Sequence, residues 1–521
     1  MKSDERTCLG PRGFVANEEL VRVVIQFLYS LGYKESAALL ENESKISYKS
    51  SQFVMLESQI LAGKWEESIN TVCKLKDVKD EDTRVKAVSL ILEQCVSEFL
   101  SKGDDTLALK AVRKDFSTLR VGKEKIHNLC SLVIAKDINR LGELEDGVIG
   151  EMRLNLLSNL ERVLPPPIVV PERRLEKLIE MVLYSQTAFC LYHNTLDPIS
   201  LFEDHSCAKD DLPTETVQIL RGHTHEVLFV QFSNNGEYLA SSSRDCTAII
   251  WKVPEHGSLT LKHTLRGHQG PVLFASWSPN DKMLLTVETE ILKLWDVETG
   301  ACKRSIREHT PICRSCAWFP DSEWLVFGSN KPSPDGCVYK YKFDEDIIVH
   351  MTEMDLPELI DLAILPNGES AIYIFPRGIS IQNFNDYDGR FIFEQSAITS
   401  VSVSREGRFL LVNLVNQEIH VWDVAGKNTQ PLIYVGHKQT KFAIRSCFGG
   451  VSPMFLASGS EDSQVYIWHA HTGNPIKVLS GHSMVVNCVS WNPKQIQILA
   501  SASDDRTIRI WKPPGSDKNI A

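Results

Sequence analysis

Residues 480–511 read SGHSMVVNCVSWNPKQIQILASASDDRTIRIW. The segment opens on Gly481-His482, climbs through an apolar run to Ser490-Trp491, resumes at Leu499-Ala500-Ser501 and ends, after Asp505, on Ile510-Trp511. Short β-branched runs broken by Asn, Asp, Ser and Pro point to strands joined by turns. The same phrase stands at Arg221-Gly222-His223 to Trp251 and at Val435-Gly436-His437 to Trp468. A weaker copy runs from Arg266-Gly267-His268 to Trp295-Asp296, and others end at Tyr341, near Phe384 and at Trp422-Asp423.

Successive ends stand 38 to 46 residues apart, which brackets the roughly 40–45 residues of a four-stranded WD blade. Seven ends predict a seven-bladed, all-β propeller. Thr216 to Leu220 precedes the first Gly-His as an outer strand without a blade of its own, and the last copy stops after its Trp511 strand. The segment 216–220 is therefore expected to complete the seventh blade and close the ring, which removes the exposed sheet edges.

Within the three clearest copies, Asp245, Asp462 and Asp505 stand six residues before the terminal Trp, and Ser241, Ser458 and Ser501 stand ten before it. With His223, His437, His482, Trp251, Trp468 and Trp511 they make three His-Ser-Asp-Trp sets. A single set could be read as a nucleophilic triad. Three in register favour architecture, because a blade must satisfy the buried polar groups of its turns. The middle blades depart from the pattern. The second has Thr289 at the Asp position; the fifth has Asn416 there and no Gly-His; the fourth shows neither signal. The third keeps Asp335 but carries a Pro-rich insertion around 331–334. These blades are expected to rely more on strand packing.

Residues just before each blade Asp should project from the turn-bearing face, where sequence can vary without cost to the strands. This nominates Arg244, Glu461 and Asp504 as partner-binding residues, with His225 and Glu226 nearby. Their mixed signs suit a protein partner read by patterned charge. Cys313 and Cys316 lie inside a strand, and no second pair stands at a spacing suited to zinc. The pair His469 and His471 falls in a blade-linking turn. No phosphate-binding loop, metalloprotease helix or zinc-deaminase signature occurs. The Trp-Asp ends, Trp295-Asp296-Val297-Glu298 and Trp422-Asp423-Val424-Ala425, lack the x-Arg of a cullin-ligase docking box. No enzyme activity, catalytic residue, metal or cofactor is expected.

Before the repeats the period changes. From Asn17 to about Tyr192 apolar residues fall at helical spacing, so the boundary between an all-α and an all-β half lies near 195 to 215. Two short helices around Leu31-Gly32-Tyr33 carry a stripe of Leu20, Val24, Phe27 and Leu31 beside Tyr33. So short a pair cannot bury that stripe alone. It must pack on the following helices or meet a second copy of itself, and self-association is the sharper expectation. Trp65 follows a Gly63-Lys64 turn between amphipathic segments and is expected in the core rather than on a contact surface.

The 521 residues exceed one hydrophobic core, and 43% hydrophobic with 24% charged residues is ordinary for a globular chain. A formal net charge of -11 argues against nucleic acid as a partner. Residues 1–13 lack a signal-peptide core and no apolar run reaches the ~18 residues of a membrane span, so a cytosolic or nuclear protein without a membrane partner is expected. The 13 scattered cysteines are expected to be free thiols.

Val21 to Glu43, with Leu31-Gly32-Tyr33-Lys34-Glu35-Ser36-Ala37, resembles a LisH dimerisation motif. Gln59 to Ile69, with Gly63-Lys64-Trp65 at its heart, resembles a CTLH domain, in which Leu61, Trp65 and Ile69 would form the core. Ile91-Leu92-Glu93-Gln94-Cys95 and Ala108-Leu109 look like the helical repeat that follows CTLH, and Leu164-Pro165-Pro166-Pro167, Arg173-Arg174-Leu175 and Cys190-Leu191-Tyr192-His193-Asn194-Thr195 lead into the propeller. In that order the chain resembles, in its plant form, the WD-repeat protein twenty-six family of GID/CTLH ubiquitin-ligase scaffolds. The resemblance implies a terminus at 1–16, LisH at 17–49, CTLH at 50–107, a CTLH-associated repeat and linker at 108–205, and the propeller at 206–521. It further implies self-association through LisH, binding of other LisH/CTLH subunits including RING-bearing ones, and recruitment of substrates or regulators by the propeller. The alternative is a LisH/CTLH/WD-repeat transcriptional corepressor or signalling scaffold, although such corepressors are usually longer, with two rings.

Overall fold

A computed structural model describes residues 8–9, 14–75, 77–102, 104, 106–108, 110, 146–207, 211–307, 312–329, 336–342, 347–354, 359–384, 389–426, 430–451 and 453–515. Leu109, the insertion at 331–334 and Asp335 lie outside the described residues, as does the side chain of Cys313. The chain divides into two compact units, 1–184 and 185–521.

In the first unit, α1 (Asn17–Ser30) turns into α2 (Lys34–Ser44) at Gly32, whose φ of 86° suits a residue without a Cβ. α3 (Ser51–Leu61) starts at Ser50, whose Oγ accepts the Phe53 N–H at 3.2 Å. α4 (Trp65–Lys74) and α5 (Glu81–Ser101) follow, the latter capped by the Asp80 carboxylate; residues 106–108 are helical, and α6 (Asp146–Val163) and α7 (Arg174–Phe189) come after them. Phe53, Leu56 and Ile60 recur at helical spacing on α3 and meet Val72, Val88, Ile91, Leu92 and Leu160 in one apolar core.

Trp65 joins that core at 8% exposure and Ile69 packs partly buried against it. Leu61, expected beside them, is 44% exposed. One step along a helix turns a side chain by about 100°, so burying Ile60 carries Leu61 off the core face. Its backbone carbonyl accepts a hydrogen bond from Arg153 Nη1 at 2.6 Å. Arg153 also donates to Glu98 from Nε at 2.9 Å and from Nη2 at 2.6 Å, and its guanidinium lies 5.4 Å from the Trp65 ring centroid. Gly63 has φ 70°, and a Cβ there would stand 2.6 Å from Arg153 Nη2. The Gly63-Lys64-Trp65 turn is thus held by an arginine from α6, a distant helix.

The second unit is the seven-bladed propeller. Its sheets are all four-stranded: residues 227–266, 274–307, 312–354, 361–393, 398–435, 447–480, and 486–512 joined by 215–220. The closing strand Glu215–Leu220 pairs antiparallel with Ile508–Lys512, placing Thr216 opposite Trp511 and Leu220 opposite Ile508. Inner strands are buried from both sides, as in Val486–Trp491, whereas the outer strand Cys302–Arg307 is largely exposed. The fourth blade, faint in the sequence, has Ser370–Phe375 buried throughout. A strand covered on both faces reads as a continuous apolar run without alternation.

Residues 190–205, expected in the linker of the helical half, belong to the propeller unit. Tyr192 and Leu212 pack on the cluster of Phe455, Trp491 and Trp511, and Asn194 donates from Nδ2 to the carbonyls of Asp211 and Ile496. Among the described residues no helix is long and apolar enough to cross a membrane.

Candidate functional site

The turn-bearing face of the propeller is built on polar networks that differ from blade to blade. In the first blade His223 Nδ1 lies 3.0 Å from Asp245 Oδ2 and Nε2 lies 2.9 Å from Ser241 Oγ, which also accepts the Trp251 indole N–H at 3.0 Å. Asp245 further accepts the Thr224 N–H and the Thr247 hydroxyl. In the seventh blade His482, Asp505, Ser501 and Trp511 repeat the arrangement at 2.8 Å for all three contacts. Ser241 and Ser501 are 0% exposed, so each hydroxyl is enclosed by its own His and Trp. Burial pushes the carboxyls of Asp245 and Asp505 up, but hydrogen bonds from the His, Thr and backbone donors outweigh it and hold both well below the usual carboxylate range.

Ser458, Asp462 and Trp468 keep the spacing of the other two copies, but His437 stands 25 residues before its Asp rather than 22 or 23, and the set does not form. The Trp468 N–H donates to Val435 O at 2.9 Å, Ser458 pairs with Ser446 at 2.8 Å, and Asp462 accepts the Tyr466 hydroxyl at 2.9 Å. His437 meets Trp468 edge to face, and its Nδ1 has no hydrogen-bond partner. Tyr466 occupies the position of Ile249 and Arg509 in the other two copies. Its ring stacks on Trp468 with centroids 5.8 Å apart and its phenol intercepts the carboxylate.

Two blades expected to lack such networks have them. In the second, His268 Nδ1 lies 3.0 Å from Glu288 Oε2, its Nε2 lies 2.7 Å from Thr286 Oγ1, and Trp295 donates to the same hydroxyl at 2.7 Å. The acid is Glu288, not Thr289. Val287 pairs with Leu292 where the first blade pairs Ser242 with Ala248, so the hairpin loop is one residue shorter. The longer Glu side chain spans the altered geometry. In the fifth blade Glu394, from the turn entering the blade, accepts the Trp422 N–H at 2.6 Å and lies 2.9 Å from His420 Nδ1. Asn416 is exposed and pairs with Glu418.

The nominated contact residues divide. Arg244 is exposed and its Nη1 lies 2.9 Å from Glu226 Oε2, with exposed His225 alongside. Asp504 is partly buried; burial raises its carboxyl, and Asn487 donates to it at 2.6 Å. Glu461 is not a free surface charge. Its carboxylate accepts the N–H groups of Thr440, Lys441 and Phe442 and the Thr440 hydroxyl. Burial pushes its carboxyl up, but these four donors outweigh it and hold it at about 2.

Glu461→Lys is therefore expected to lower the melting temperature, whereas Arg244→Glu at an exposed pair should barely change it. The folded-state pKa is depressed, so the contribution of Glu461 is complete above its unfolded value of about 4.3. It is lost as pH falls toward about 2. Protection factors of the Thr440–Phe442 amides, corrected for intrinsic exchange, should fall across that window. Unchanged protection at its acid end would count against this role.

Inside the ring, a channel of about 500 Å³ is lined by inner-strand residues including Phe229, Phe274, Asp361, Arg445 and Cys488. Arg445 Nη1 lies 3.1 Å from Asp361 Oδ2, and its guanidinium lies 4.8 Å from the Phe274 ring centroid. Of the stripe on the N-terminal helix pair, Leu31 and Tyr33 are 50% and 60% exposed. Leu20, Val24 and Phe27 are partly buried. Ile25 is fully buried, and Arg22 donates to the carbonyls of Tyr48, Pro167 and Ile168. One side of the pair thus packs within its own unit and the other stays partly open.

A family model described as the WDR26 Lis-homology domain matches residues 7–50. A WD domain, G-beta repeat model matches 214–252, 259–296, 300–341, 429–469 and 473–512, leaving unmatched the span 342–428 that holds the fourth blade and the first three strands of the fifth. The chain is 49% identical to the WD repeat-containing protein WDS homolog of Arabidopsis thaliana, over 98% of each chain. It is 40% identical to the WD repeat-containing protein 26 homolog of the same plant, over 98% of this chain and 86% of that protein. Identity to GID complex subunit 7 of Schizosaccharomyces pombe is 32%, over 95% of this chain and 96% of that protein. The chain belongs to the WDR26 family of LisH-bearing WD-repeat proteins.

Proposed function

We propose that the chain is a non-catalytic scaffold of a GID/CTLH-type ubiquitin ligase, self-associating through α1 and α2 and recruiting substrates or regulators on the turn-bearing face of its propeller. The reading is carried by the near full-length match to a protein named GID complex subunit 7. The half-open apolar stripe on α1 and α2 suits a second copy or another LisH-bearing subunit, and the charged rim of His225, Glu226 and Arg244 suits a polar partner. The enclosed Ser241 and Ser501 support a non-catalytic role.

Affinity purification of the full chain with mass spectrometry tests the reading. RING-bearing and other LisH/CTLH proteins should co-purify, and their absence from every eluate would overturn it. Phe27→Asp with Leu31→Asp places charges in the seam at a cost of several kcal/mol once desolvated. The mass by light scattering should then drop toward that of one chain; an unchanged mass removes self-association from the proposal. Arg244→Glu with His225→Glu should release propeller-bound partners while sparing those on the helical half.

A further inference from the structure

Ligand-bearing atoms of Cys190, His205 and Cys207 lie within 4.8 Å of one another. His205 Nε2 is 2.9 Å from Cys207 Sγ, and His193 Nδ1 approaches the same sulfur at 3.3 Å. The two imidazoles meet edge to face with centroids 4.5 Å apart. Two thiols and the His205 imidazole thus converge, with His193 beside the Cys207 sulfur, and the four residues fall in a pair spaced Cys-x-x-His and a pair spaced His-x-Cys. A tetrahedral zinc ion with Zn–S near 2.3 Å and Zn–N near 2.0–2.1 Å places neighbouring donors about 3.5 Å apart. The Cys207 Sγ separations of 2.9 and 3.3 Å lie just inside that value, and the 4.8 Å limit on the Cys190, His205 and Cys207 group leaves room for it.

The segment carrying these donors needs a fastener. Between Phe189 and the closing strand at Glu215, its described residues contain neither an α-helix nor a strand. A connection that long is uncommon unless something fixes it. Apolar burial fixes its two ends, at Tyr192 and Leu212, but not its middle: Leu196, Leu201 and Phe202 are 71%, 64% and 97% exposed. The four donors cluster across this poorly packed stretch.

We propose that Cys190, His193, His205 and Cys207 form a structural Cys2His2 zinc site. Two thiols lose their protons to solvent as the cation binds, and the imidazoles coordinate as neutral ligands, so two protons are released per zinc. Four protein ligands leave no open position for a substrate. Searching for Cys-x-x-Cys alone misses the site because each half pairs a cysteine with a histidine.

The test uses the full chain purified without chelators. Elemental analysis should give about one zinc per chain, and Co²⁺ added to the apoprotein should produce the visible bands of tetrahedral thiolate coordination. Cys190→Ser with Cys207→Ser should abolish both, while Cys73→Ser and Cys302→Ser, at exposed cysteines outside the cluster, should leave both intact. Should the double variant misfold, His205→Cys decides: it keeps four ligands, so zinc should remain and the Co²⁺ spectrum should shift toward three-sulfur coordination. Absence of zinc together with no tetrahedral Co²⁺ spectrum would overturn the site. So would zinc retained by the folded double variant, or a Cys190–Cys207 disulfide detected by thiol counting before and after reduction.

Discussion

Trp65→Ala is expected to destabilise the helical unit by about 3–5 kcal/mol, the range for removing a large buried aromatic. Trp65 is 8% exposed and packs into the core formed by α3, α4, α5 and α6. Its removal opens a cavity that the neighbouring turn cannot fill, because Gly63 and Arg153 already meet there. Arg153→Ala should cost a similar amount by a different route. It leaves Glu98, whose side chain is 3% exposed, without its cation and with the Gln94 amide as its remaining side-chain donor, and breaking one side of a buried ion pair costs about 3–5 kcal/mol. Urea unfolding followed by amide exchange in α5 separates this unit from the propeller. If both variants leave α5 protection unchanged, Trp65 is not a core residue and Arg153 does not hold the turn.

Trp511→Ala should weaken ring closure by about 3–5 kcal/mol. The side chain is 1% exposed, its indole N–H donates to Ser501 at 2.8 Å, and its backbone lies opposite both Leu499 and Thr216. Losing it loosens the only described strand supplied to a blade from the far end of the propeller chain, and an opened edge invites pairing with other molecules. A lower thermal midpoint with increased aggregation is expected, read by calorimetry and light scattering. Trp468→Phe is the matched control. Trp468 donates only to a backbone carbonyl, so losing that hydrogen bond should cost about 1 kcal/mol. A Trp511 variant no less stable than this control would refute its part in closure.

Some of this architecture was legible in the one-dimensional pattern. The Trp and Gly-His period marked seven blades, and the orphan strand at 216–220 marked the closure, one residue short of the observed Glu215–Leu220. Helical spacing marked the N-terminal half as α-helical, while the exposure of Leu61, expected in the core, depended on which side of its helix met α5 and α6. Local sterics and one-sided burial impose periods of 2 and 3.6 residues, and these survive in the sequence even where individual blades diverge.

Which polar atoms meet leaves no such period. Matching Ser-Asp-Trp spacing accompanied a closed network at His482 and a broken one at His437, which stands 25 residues before its Asp rather than 23 and where the Tyr466 hydroxyl takes Asp462. A hairpin one residue shorter moved the acidic role to Glu288, and Glu394 reached Trp422 from the turn before its blade. Glu461, spaced like a surface residue, became the anchor of its own loop. Arg153 with Glu98, and Cys190 with His205 and Cys207, come together only when the chain has folded. The sequence by itself determined the repeat, the closure and the helical half, since these follow from local geometry and burial. Tertiary structure alone decided the hydrogen-bond partners, because a contact near 3 Å depends on loop length and side-chain reach between residues far apart in the chain.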